Sequence, residues 1–361
     1  MISVRGDHGG GPAHMHLLTK LLAADFEIHV AIPHEPPYWH RFESLLGESR
    51  LIAIPHRKFQ PGSLWQLTRE TKRRNIDLIH SHGKGAGLYG RLAALLTGRP
   101  AVHSFHGVHL GSYGWLTRSL YLMLERTLSS LTKKVIATSP SEAQLITRLR
   151  LVGSEKLVTI ENGIDLTQVD APSLKRDTIF HVVTITRFDY AKNPELLSEI
   201  IELSLKDHNS ENIVFDVIGD GEGSALVRER LNPAVERGQV IFHGNVDDAR
   251  PILSSANCYL STSRWEGLPL GLLEAFAYSL PVVATKVTGN SDLVEDGVTG
   301  LLYGLDEPER AASHIFMLQR DESLAERLGR AGRELVARKY SAEEMAVKTS
   351  RLYREVLGRG Y

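Results

Sequence analysis

The sequence predicts an α/β protein built from two doubly wound parallel-sheet domains. Its 361 residues suit two domains of about 150–180 residues each. Short apolar runs rich in β-formers alternate with helical stretches in both halves, which is typical of βαβ units on a parallel sheet. The alternation restarts after a gap without apolar periodicity. We therefore expect domains at 1–165 and 178–340, a hinge at 166–177, and a C-terminal helix at 341–361 that packs back on the first domain.

In the first half, a very short strand at Met1–Val4 precedes six longer predicted strands. Amphipathic helices are predicted between them, and in the third of these Leu116, Leu120 and Leu124 recur at helical spacing. The predicted strands are Phe26–Ile32, Leu51–Ile54, Asp77–His82, Ala101–His106, Lys134–Ser139 and Leu157–Glu161, and the helices are Leu64–Arg74, Ala86–Leu96 and Leu116–Leu131.

In the second half, six more strands alternate with helices. They are predicted at His181–Thr186, Ile213–Ile218, Gln239–His243, Cys258–Thr262, Pro281–Ala284 and Gly300–Tyr303. In sheets of this kind ligands bind outside the carboxyl ends of the strands. Two such domains joined by a hinge predict a ligand site in the cleft between them.

Composition excludes several classes of protein. The chain is 42% hydrophobic and 24% charged, which is ordinary for a globular protein. Its one cysteine, Cys258, excludes an internal disulfide framework and a Cys-cluster metal site. The start of the chain has no apolar signal core, so we expect a cytoplasmic protein.

Charge differs between the halves although the net charge is −1. Residues 1–165 carry 20 basic and 13 acidic residues, and the remainder carries 22 and 30. The basic first half indicates an anionic partner. Two domains that simply differ in surface charge give the same counts.

Two glycine-rich segments precede predicted helices. Gly9, Gly10 and Gly11 lie before a helix expected near Ala13, where glycine backbone and a helix N-terminus can receive a phosphate. A plain tight turn explains the same glycines. The second segment, 83–87, lacks the spacing of a P-loop, and we favour a turn that leads into a tightly packed helix.

Histidines are concentrated early, with 12 of 16 before residue 110. His103, His106 and His109 have the spacing HxxHxxH, but outside a helix that spacing does not place three rings on one face. We therefore expect no metal site. His106, at a strand's carboxyl end, is the better candidate for a ligand contact, and the alternative is an ordinary loop histidine.

Charged residues follow two strands of the second half. Arg187 and Lys192 come after the first of them, where two cations can neutralise a diphosphate. An ion pair of Arg187 with Asp189 is the alternative.

Glu266 and Glu274 flank a helix start near Pro269. Both carboxylates can bind hydroxyls, and the amides of Leu270 and Gly271 between them can receive a phosphate. Two unrelated glutamates are the alternative.

These segments together resemble the retaining glycosyltransferases of family GT4, which have the GT-B fold. Glu266–Glu274 matches the E-x7-E element of that family. The segments at 187–192, 219–222, 242–246, 162–165 and 295–302 are similar too. The sequence departs at Thr186, where glycine is common, and at 289–292, where Gly-Asn-Ser-Asp stands.

The resemblance implies a role for each matching residue. Glu266 and His106 would contact the donor sugar, and Glu274 the ribose. The diphosphate would be held by Arg187 and Lys192, with the backbone of Gly10 and Gly11 approaching it from the first domain. The base would be met by the turn containing Asn245 and Val246.

The implied reaction is transfer of a sugar from a nucleotide-diphosphate sugar, with UDP favoured and GDP next, to a lipid-linked glycan of a bacterial surface polysaccharide. We expect no cofactor, no essential metal and no nucleic-acid partner. Peripheral contact with an anionic membrane is expected through the segment from His56 to Arg74, which mixes cations with Trp65, and through Tyr113 and Trp115.

Two rival functions fit the same fold. A nucleotide-sugar 2-epimerase would need general acid and base carboxylates around the sugar, and it would form the epimer without an acceptor. A non-catalytic nucleotide-sugar scaffold would bind the donor without turnover.

Overall fold

A computed structural model describes residues 1–108, 110–111, 113–169, 179–206 and 212–358. The chain divides into two compact units. The first comprises Met1–Gly163 and Ala342–Tyr361, and the second comprises Ile164–Ser341. Of the predicted hinge, residues 170–177 lie outside the described residues, whereas Leu166–Gln168 forms a 3₁₀ turn of the second unit. His109 also lies outside them.

The first unit contains six strands and six helices before residue 163, in alternating order. They are α1 (Gly10–Leu22), β1 (Val30–Ile32), α2 (Tyr38–Leu46), β2 (Leu51–Ala53), α3 (Pro61–Arg73), β3 (Ile79–His82), α4 (Lys84–Thr97), β4 (Ala101–Ser104), α5 (Trp115–Ser130), β5 (Lys134–Ala137), α6 (Pro140–Arg148) and β6 (Leu157–Thr159).

The second unit repeats this alternation. Its elements are β7 (Phe180–Ile185), α7 (Pro194–Leu205), β8 (Ile213–Ile218), α8 (Ser224–Glu236), β9 (Val240–Gly244), α9 (Arg250–Ser255), β10 (Cys258–Ser261), α10 (Leu270–Ala277), β11 (Val282–Thr285), α11 (Asn290–Leu293), β12 (Gly300–Tyr303), α12 (Pro308–Arg320) and α13 (Glu322–Lys339). The last helix, α14 (Ala342–Val356), belongs to the first unit.

All strand pairs are parallel, as the alternation predicts. In the first unit β3, β4, β5 and β6 form one sheet in that order, and β1 pairs with β2. The predicted strand at Met1–Val4 is reduced to Ile2, whose bridges to Ala31 and Ser81 connect β1 to β3. Helix α14 packs against α1, and the hydroxyl of Tyr353 lies 2.5 Å from Nδ1 of His80.

The second unit has a six-stranded sheet in the order β12-β11-β10-β7-β8-β9. Successive residues of β7 are buried on opposite faces, with Val182 in one apolar cluster and Val183 in the other. A sheet covered by helices on both faces is the doubly wound arrangement, so the predicted fold class is confirmed in both units. Within the described residues, no helix combines the length and apolar character that crossing a bilayer requires.

The sequence predicted where α5 lies but not what covers it. Leu116, Leu120 and Leu124 do recur along one side of this helix, yet each is largely exposed, whereas Leu128 is buried. An apolar stripe at helical spacing shows which side is apolar, and here that side faces solvent.

Candidate functional site

The second unit brings Lys192 and Glu266 into direct contact. Nζ of Lys192 donates to Oε1 of Glu266 at 2.6 Å, and the hydroxyl of Ser263 donates to the same oxygen at 2.6 Å. The Lys192 side chain is 22% exposed and that of Glu266 14%. A half-buried ion pair of this kind presents one cation and one carboxylate at a single point.

The contact forms because the two loops follow neighbouring strands. Lys192 ends a 3₁₀ turn after β7, and Asp189 caps that turn by accepting the amide of Lys192 at 3.2 Å. Glu266 lies in the loop after β10, which pairs directly with β7. Carboxyl ends of adjacent parallel strands meet at one edge of a sheet, so the two side chains converge.

Gly289 allows close packing against the loop that carries Glu266. The amide of Glu266 donates to the carbonyl of Thr288 at 2.9 Å. A Cβ on Gly289 would lie 2.6 Å from the Cβ of Glu266, and the φ of Gly289 is +85°. Only glycine therefore permits this approach of the two loops.

Arg187 lies in the same loop as Lys192 and is paired with Asp189. Its Nη2 lies 2.9 Å from Oδ2 of Asp189, and its Nε donates to that oxygen at 3.0 Å. The ion pair considered as an alternative thus exists. Both side chains remain about one-third exposed, so the guanidinium keeps a solvent-facing side that can meet an anion.

The turn at 219–221 supports the Arg187 loop. A Cβ on Gly219 would lie 1.8 Å from the carbonyl oxygen of Thr186, and one on Gly221 would lie 2.3 Å from that of Arg187. Both glycines have positive φ, +116° and +157°. The amide of Gly219 donates to the carbonyl of Gly244 at 2.7 Å, which ties this turn to the end of β9.

Asn245 and Val246 follow directly after Gly244. Asn245 is exposed, whereas Val246 packs against the apolar cluster on one face of the sheet. The turn is thus anchored by one side chain and leaves its neighbour accessible.

Glu274 lies in the second turn of α10, whose N-cap is Pro269. Burial, with a smaller contribution from the charge of Asp248, raises the pKa of Glu274 to about 7. The amides of Leu270 and Gly271 are in the first turn, where a helix offers no partner of its own. Glu274 therefore stands one turn behind two backbone donors.

Tyr259 lies near both glutamates, and no motif in the sequence pointed to it. Burial raises the pKa of this phenol, and the charges of Glu266 and Glu274 both raise it further, so both carboxylates lie near the ring. A Cβ on Gly271 would lie 2.7 Å from the Tyr259 hydroxyl. The structure thus places Tyr259 beneath the start of α10, with a carboxylate on either side of that start.

In the first unit, Gly10 and Gly11 lie within a helix. We expected a loop before a helix near Ala13, but α1 begins at Gly10, with extended Gly9 as its N-cap. The prediction placed the start too late because glycine is a poor helix former in the interior and is tolerated in a first turn. The amides of both glycines remain donors without an intrahelical partner.

The glycines at 83–90 are needed for packing. Gly83, with φ +81°, caps α4. A Cβ on Gly87 would lie 2.7 Å from the ring of His103, and one on Gly90 would lie 2.8 Å from Ser81. The interpretation of this segment as a turn that leads into a tightly packed helix is confirmed.

His106 is one of three histidines in contact. Its Nε2 lies 3.0 Å from Nδ1 of His82, and its ring centroid lies 4.6 Å from that of His14 in an edge-to-face arrangement. His106 has a left-handed backbone, with φ +57°. Burial lowers the pKa of all three rings, that of His14 to about 4, so the rings are neutral at pH 7.

Sequence reasoning selected His106 and missed His14. His82 ends β3 and His106 follows the neighbouring strand β4, so the order of strands and helices in the sequence can bring these two together. His14 comes from α1, and no local spacing connects it to either strand. Two groups of side chains in the described residues have ligand atoms close enough for a metal ion, and this triad is one of them.

Family models match both units of the chain. The family model for glycosyl transferases group 1 matches residues 167–335, and that for glycosyltransferase family 4 matches residues 8–168. Together they span most of the chain.

Individual relatives are distant but cover most of this chain. The chain is 26% identical to the UDP-Gal:alpha-D-GlcNAc-diphosphoundecaprenol alpha-1,3-galactosyltransferase of Escherichia coli, over 73% of this chain and 71% of the relative. It is 26% identical to the capsular polysaccharide biosynthesis glycosyltransferase CapM of Staphylococcus aureus, over 78% and 77%.

The crystal structure of Anabaena HepE in complex with UDP and glucose superimposes with a TM-score of 0.84 at 17% identity, covering 98% of both chains. This likeness shows that the two Rossmann-like units are those of the GT-B fold. With the two family models covering residues 8–335, it follows that the chain belongs to the GT4-type glycosyltransferases and is a transferase enzyme.

Proposed function

We propose that this glycosyltransferase moves a sugar, with retention of the anomeric configuration, from a UDP-sugar to a lipid-linked glycan in bacterial surface-polysaccharide synthesis. The observation that supports the proposal is the contact of Lys192 with Glu266, in a loop that also holds Arg187. It joins a cation suited to a diphosphate to a carboxylate suited to sugar hydroxyls. The name of the Escherichia coli relative, a UDP-galactose enzyme acting on a diphosphoundecaprenol acceptor, supports this donor and acceptor class.

Two cations stabilise the departing diphosphate. Lys192 is a point charge that rotates from the Glu266 oxygen toward a phosphate, and Arg187 offers a planar fork. Preorganised charges aimed at the leaving group are usually the largest single contribution to catalysis. GDP-sugars are the second choice of donor, since the cations bind the diphosphate whatever the base.

The sugar is held by groups of different character. Glu266 accepts hydrogen bonds from its hydroxyls. His106 is assigned to the sugar by the family resemblance, and its neutral ring can donate or accept a hydrogen bond without placing a positive charge beside an oxocarbenium-like sugar. Gly10 and Gly11 offer backbone amides for the diphosphate.

The nucleoside is held by the second unit. Glu274 accepts the two ribose hydroxyls, and Leu270 and Gly271 donate their amides to the diphosphate. The turn containing Asn245 and Val246 contacts the base through its backbone.

The proposed transfer uses no nucleophile from the enzyme. The bond from the anomeric carbon to the leaving phosphate oxygen breaks, and the acceptor hydroxyl forms its bond on the same face. The proton of that hydroxyl passes to the departing phosphate oxygen. Neither step requires a cofactor or a metal, because the cations of the protein take up the charge.

Membrane contact is proposed for the exposed apolar side of α5. Trp115 is 80% exposed, Met123 60% and Leu116 56%. The helix carries Arg118 and Arg126. Its one acidic residue, Glu125, is buried.

Glu125, the acid of α5, is buried in an ion pair with Arg91 at 2.7 Å. The exposed apolar side therefore carries no carboxylate, and the exposed Arg118 and Arg126 lie on other sides of the same helix. An apolar side with cations nearby suits the interface of an anionic bilayer. An enzyme held there would meet a lipid-linked acceptor.

The predicted basic segment at 56–74 contributes less than its composition indicates. Arg73 and Arg74 both bind Glu70, at 2.6 and 2.8 Å. Trp65 is 65% exposed, with Arg69 over its ring at 5.6 Å. This helix is an accessory contact at most, and α5 is the primary one.

The first experiment tests the donor. Thermal shift with UDP-, GDP-, ADP- and TDP-sugars identifies the ligand, and transfer to a synthetic lipid-linked acceptor is followed by NMR of the new anomeric linkage. We expect a UDP-sugar and a retained configuration. Epimer formed without acceptor would favour the 2-epimerase, and binding without turnover the scaffold.

The second experiment tests the membrane. Co-sedimentation with phosphatidylglycerol vesicles is compared for the wild type, a Leu120→Gln/Met123→Gln variant, and a control with two exposed apolar residues of the second unit changed, Leu226→Gln/Met317→Gln. We expect only the α5 variant to lose binding. Equal recovery on neutral and anionic vesicles would contradict the electrostatic contribution.

A further inference from the structure

The three histidines in contact in the first unit, hereafter the histidine triad, come from separate elements. His14 lies on α1, His82 ends β3, and His106 follows β4. One ring nitrogen from each lies within 4.8 Å of the others, and Nδ1 of His82 is 3.0 Å from Nε2 of His106. The proposed reaction uses His106 alone, so the convergence of His14 and His82 needs another reason.

The rings are in the protonation state that a metal requires. Burial lowers the pKa of each. A neutral imidazole always has one ring nitrogen with a lone pair that can bind a metal ion. In addition, Nδ1 of His14 is buried without a hydrogen-bond partner among the described residues. Unsatisfied buried nitrogens are costly, and most buried polar groups have a partner.

We propose that His14, His82 and His106 bind one transition-metal ion of the zinc type, with three imidazole ligands and an open fourth position. In a tetrahedral site with Zn–N distances of about 2.1 Å, ligand nitrogens lie about 3.4 Å apart. The widest separation in the triad therefore has to close by at most about 1.4 Å.

Ligand chemistry selects the ion. Imidazole suits Zn²⁺, Cu²⁺, Ni²⁺ and Co²⁺, whereas Mg²⁺ and Mn²⁺ prefer oxygen. One of the two facing nitrogens, Nδ1 of His82 or Nε2 of His106, carries the proton of their hydrogen bond. On metal binding this proton moves to the other nitrogen of the same ring. Both facing nitrogens then bind the ion, and each ring stays neutral. His106 is only half-buried, which leaves a route for the ion.

The second group of candidate ligands is already occupied. Asp7 is held by Arg5 through two hydrogen bonds of 2.7 Å. Glu35 accepts the amide of Gly6 and the ring of His56, both at 2.7 Å. Metal binding there would break these contacts with charged groups, whereas within the triad the contact given up is the neutral His82–His106 hydrogen bond.

Occupancy has a consequence that rests on the proposed function. A metal ion bound to His106 occupies the ring nitrogen that would contact the donor sugar, so the metal inhibits transfer. Transfer then needs no metal, and a chelator that removes the ion restores the activity.

Metal binding is measured without any donor, on the full chain after treatment with EDTA and its removal. Zn²⁺ is titrated in competition with a chromophoric chelator of micromolar affinity, and Co²⁺ is added separately to record its visible absorption. We expect one tightly bound ion per chain and the intense bands of tetrahedral Co²⁺.

His14→Phe keeps a ring in the same space, and His82→Gln provides a second variant should the first fail to fold. Each is expected to lose the tight ion, whereas the exposed His40→Ala control keeps it. Absence of tight binding in the wild type, or unchanged binding in both folded triad variants, would overturn the site.

The inhibitory consequence is tested separately. Zn²⁺ is expected to reduce transfer at least tenfold in the wild type and in His40→Ala but not in His14→Phe. Full activity of the Zn²⁺-loaded wild type would overturn inhibition. Because binding is read without substrate, a failure of the proposed transfer reaction leaves the metal result standing, and the reverse also holds.

Discussion

The carboxyl group of Glu274 is expected to destabilise the second unit at neutral pH, and Glu274→Gln tests this directly. Burial raises its pKa from 4.5 to about 7, with the charge of Asp248 adding to the effect. The folded chain therefore binds more protons than the unfolded chain between these two values. Stability is full below pH 4.5 and is lost as the pH rises through 7.

The size of the effect follows from the same two values. A shift from 4.5 to about 7 corresponds to about 3 kcal/mol at pH 8, and this is an upper limit because the carboxyl is only half-buried. Glutamine has the same shape without the charge. We expect Glu274→Gln to be about 1–3 kcal/mol more stable at pH 8, which is several degrees in Tm for a unit of this size.

Thermal unfolding is compared at pH 5 and pH 8 for the wild type, Glu274→Gln and the exposed control Glu229→Gln. The stabilisation of Glu274→Gln should appear at pH 8 and shrink toward zero at pH 5. Donor binding should change in the opposite sense, with affinity in the wild type rising from pH 6 to pH 8 and remaining flat and weaker in the variant. A stability difference that does not depend on pH would refute the reasoning.

Three further outcomes follow from the site. Lys192→Ala and Glu266→Ala should each reduce kcat/KM by about 10²-fold or more, and the double variant by less than the product, because the two side chains share one contact; near-normal turnover of either folded variant would contradict the assignment. Transfer should persist in excess EDTA, and loss that Mg²⁺ or Mn²⁺ restores would show that the diphosphate needs a metal. Gly219→Ala should destabilise by about 2 kcal/mol or more in urea unfolding, since its Cβ would lie 1.8 Å from a carbonyl oxygen, whereas Gly62→Ala, with open space around it, should not.

Much of the fold could be predicted from periodicity because both units bury their strands on two faces. The strands Ile213–Ile218 and Gly300–Tyr303 have the predicted bounds, since both are mainly apolar runs that end in polar or glycine-rich segments. Phe26–Ile32 was predicted too long, and only Val30–Ile32 pairs. The number of residues that pair depends on the length of the neighbouring strand, here Leu51–Ala53. The apolar run alone does not specify that length.

The site was predicted less completely, and α5 shows why. Local spacing identified the helix, but whether its apolar side faces a core or solvent depends on what packs there. Among the described residues, no element covers Leu116 or Leu120 enough to bury them. Likewise His14 is brought to His106 by the packing of α1, a contact across 92 positions of sequence. Tertiary contacts of this length have no signature in a single sequence.

In both units, the contacts that could be predicted join side chains at the carboxyl ends of neighbouring parallel strands. Lys192 and Glu266 follow β7 and β10. His82 ends β3 and His106 follows β4, and the strands of each pair are hydrogen-bonded neighbours. Because parallel neighbours end at the same edge, side chains distant in sequence meet there without any dedicated scaffold.

Under the proposed function, the Lys192–Glu266 pair also sets a condition on donor binding. Without a donor, each charge satisfies the other, which keeps both side chains ordered at modest cost. A donor must offer Lys192 a phosphate and Glu266 a hydroxyl in the same event, because releasing only one partner would leave the other charge half-buried and unpaired. A free nucleoside diphosphate satisfies only the lysine. The pair therefore favours the intact nucleotide sugar over the product nucleotide, which is the preference that turnover requires.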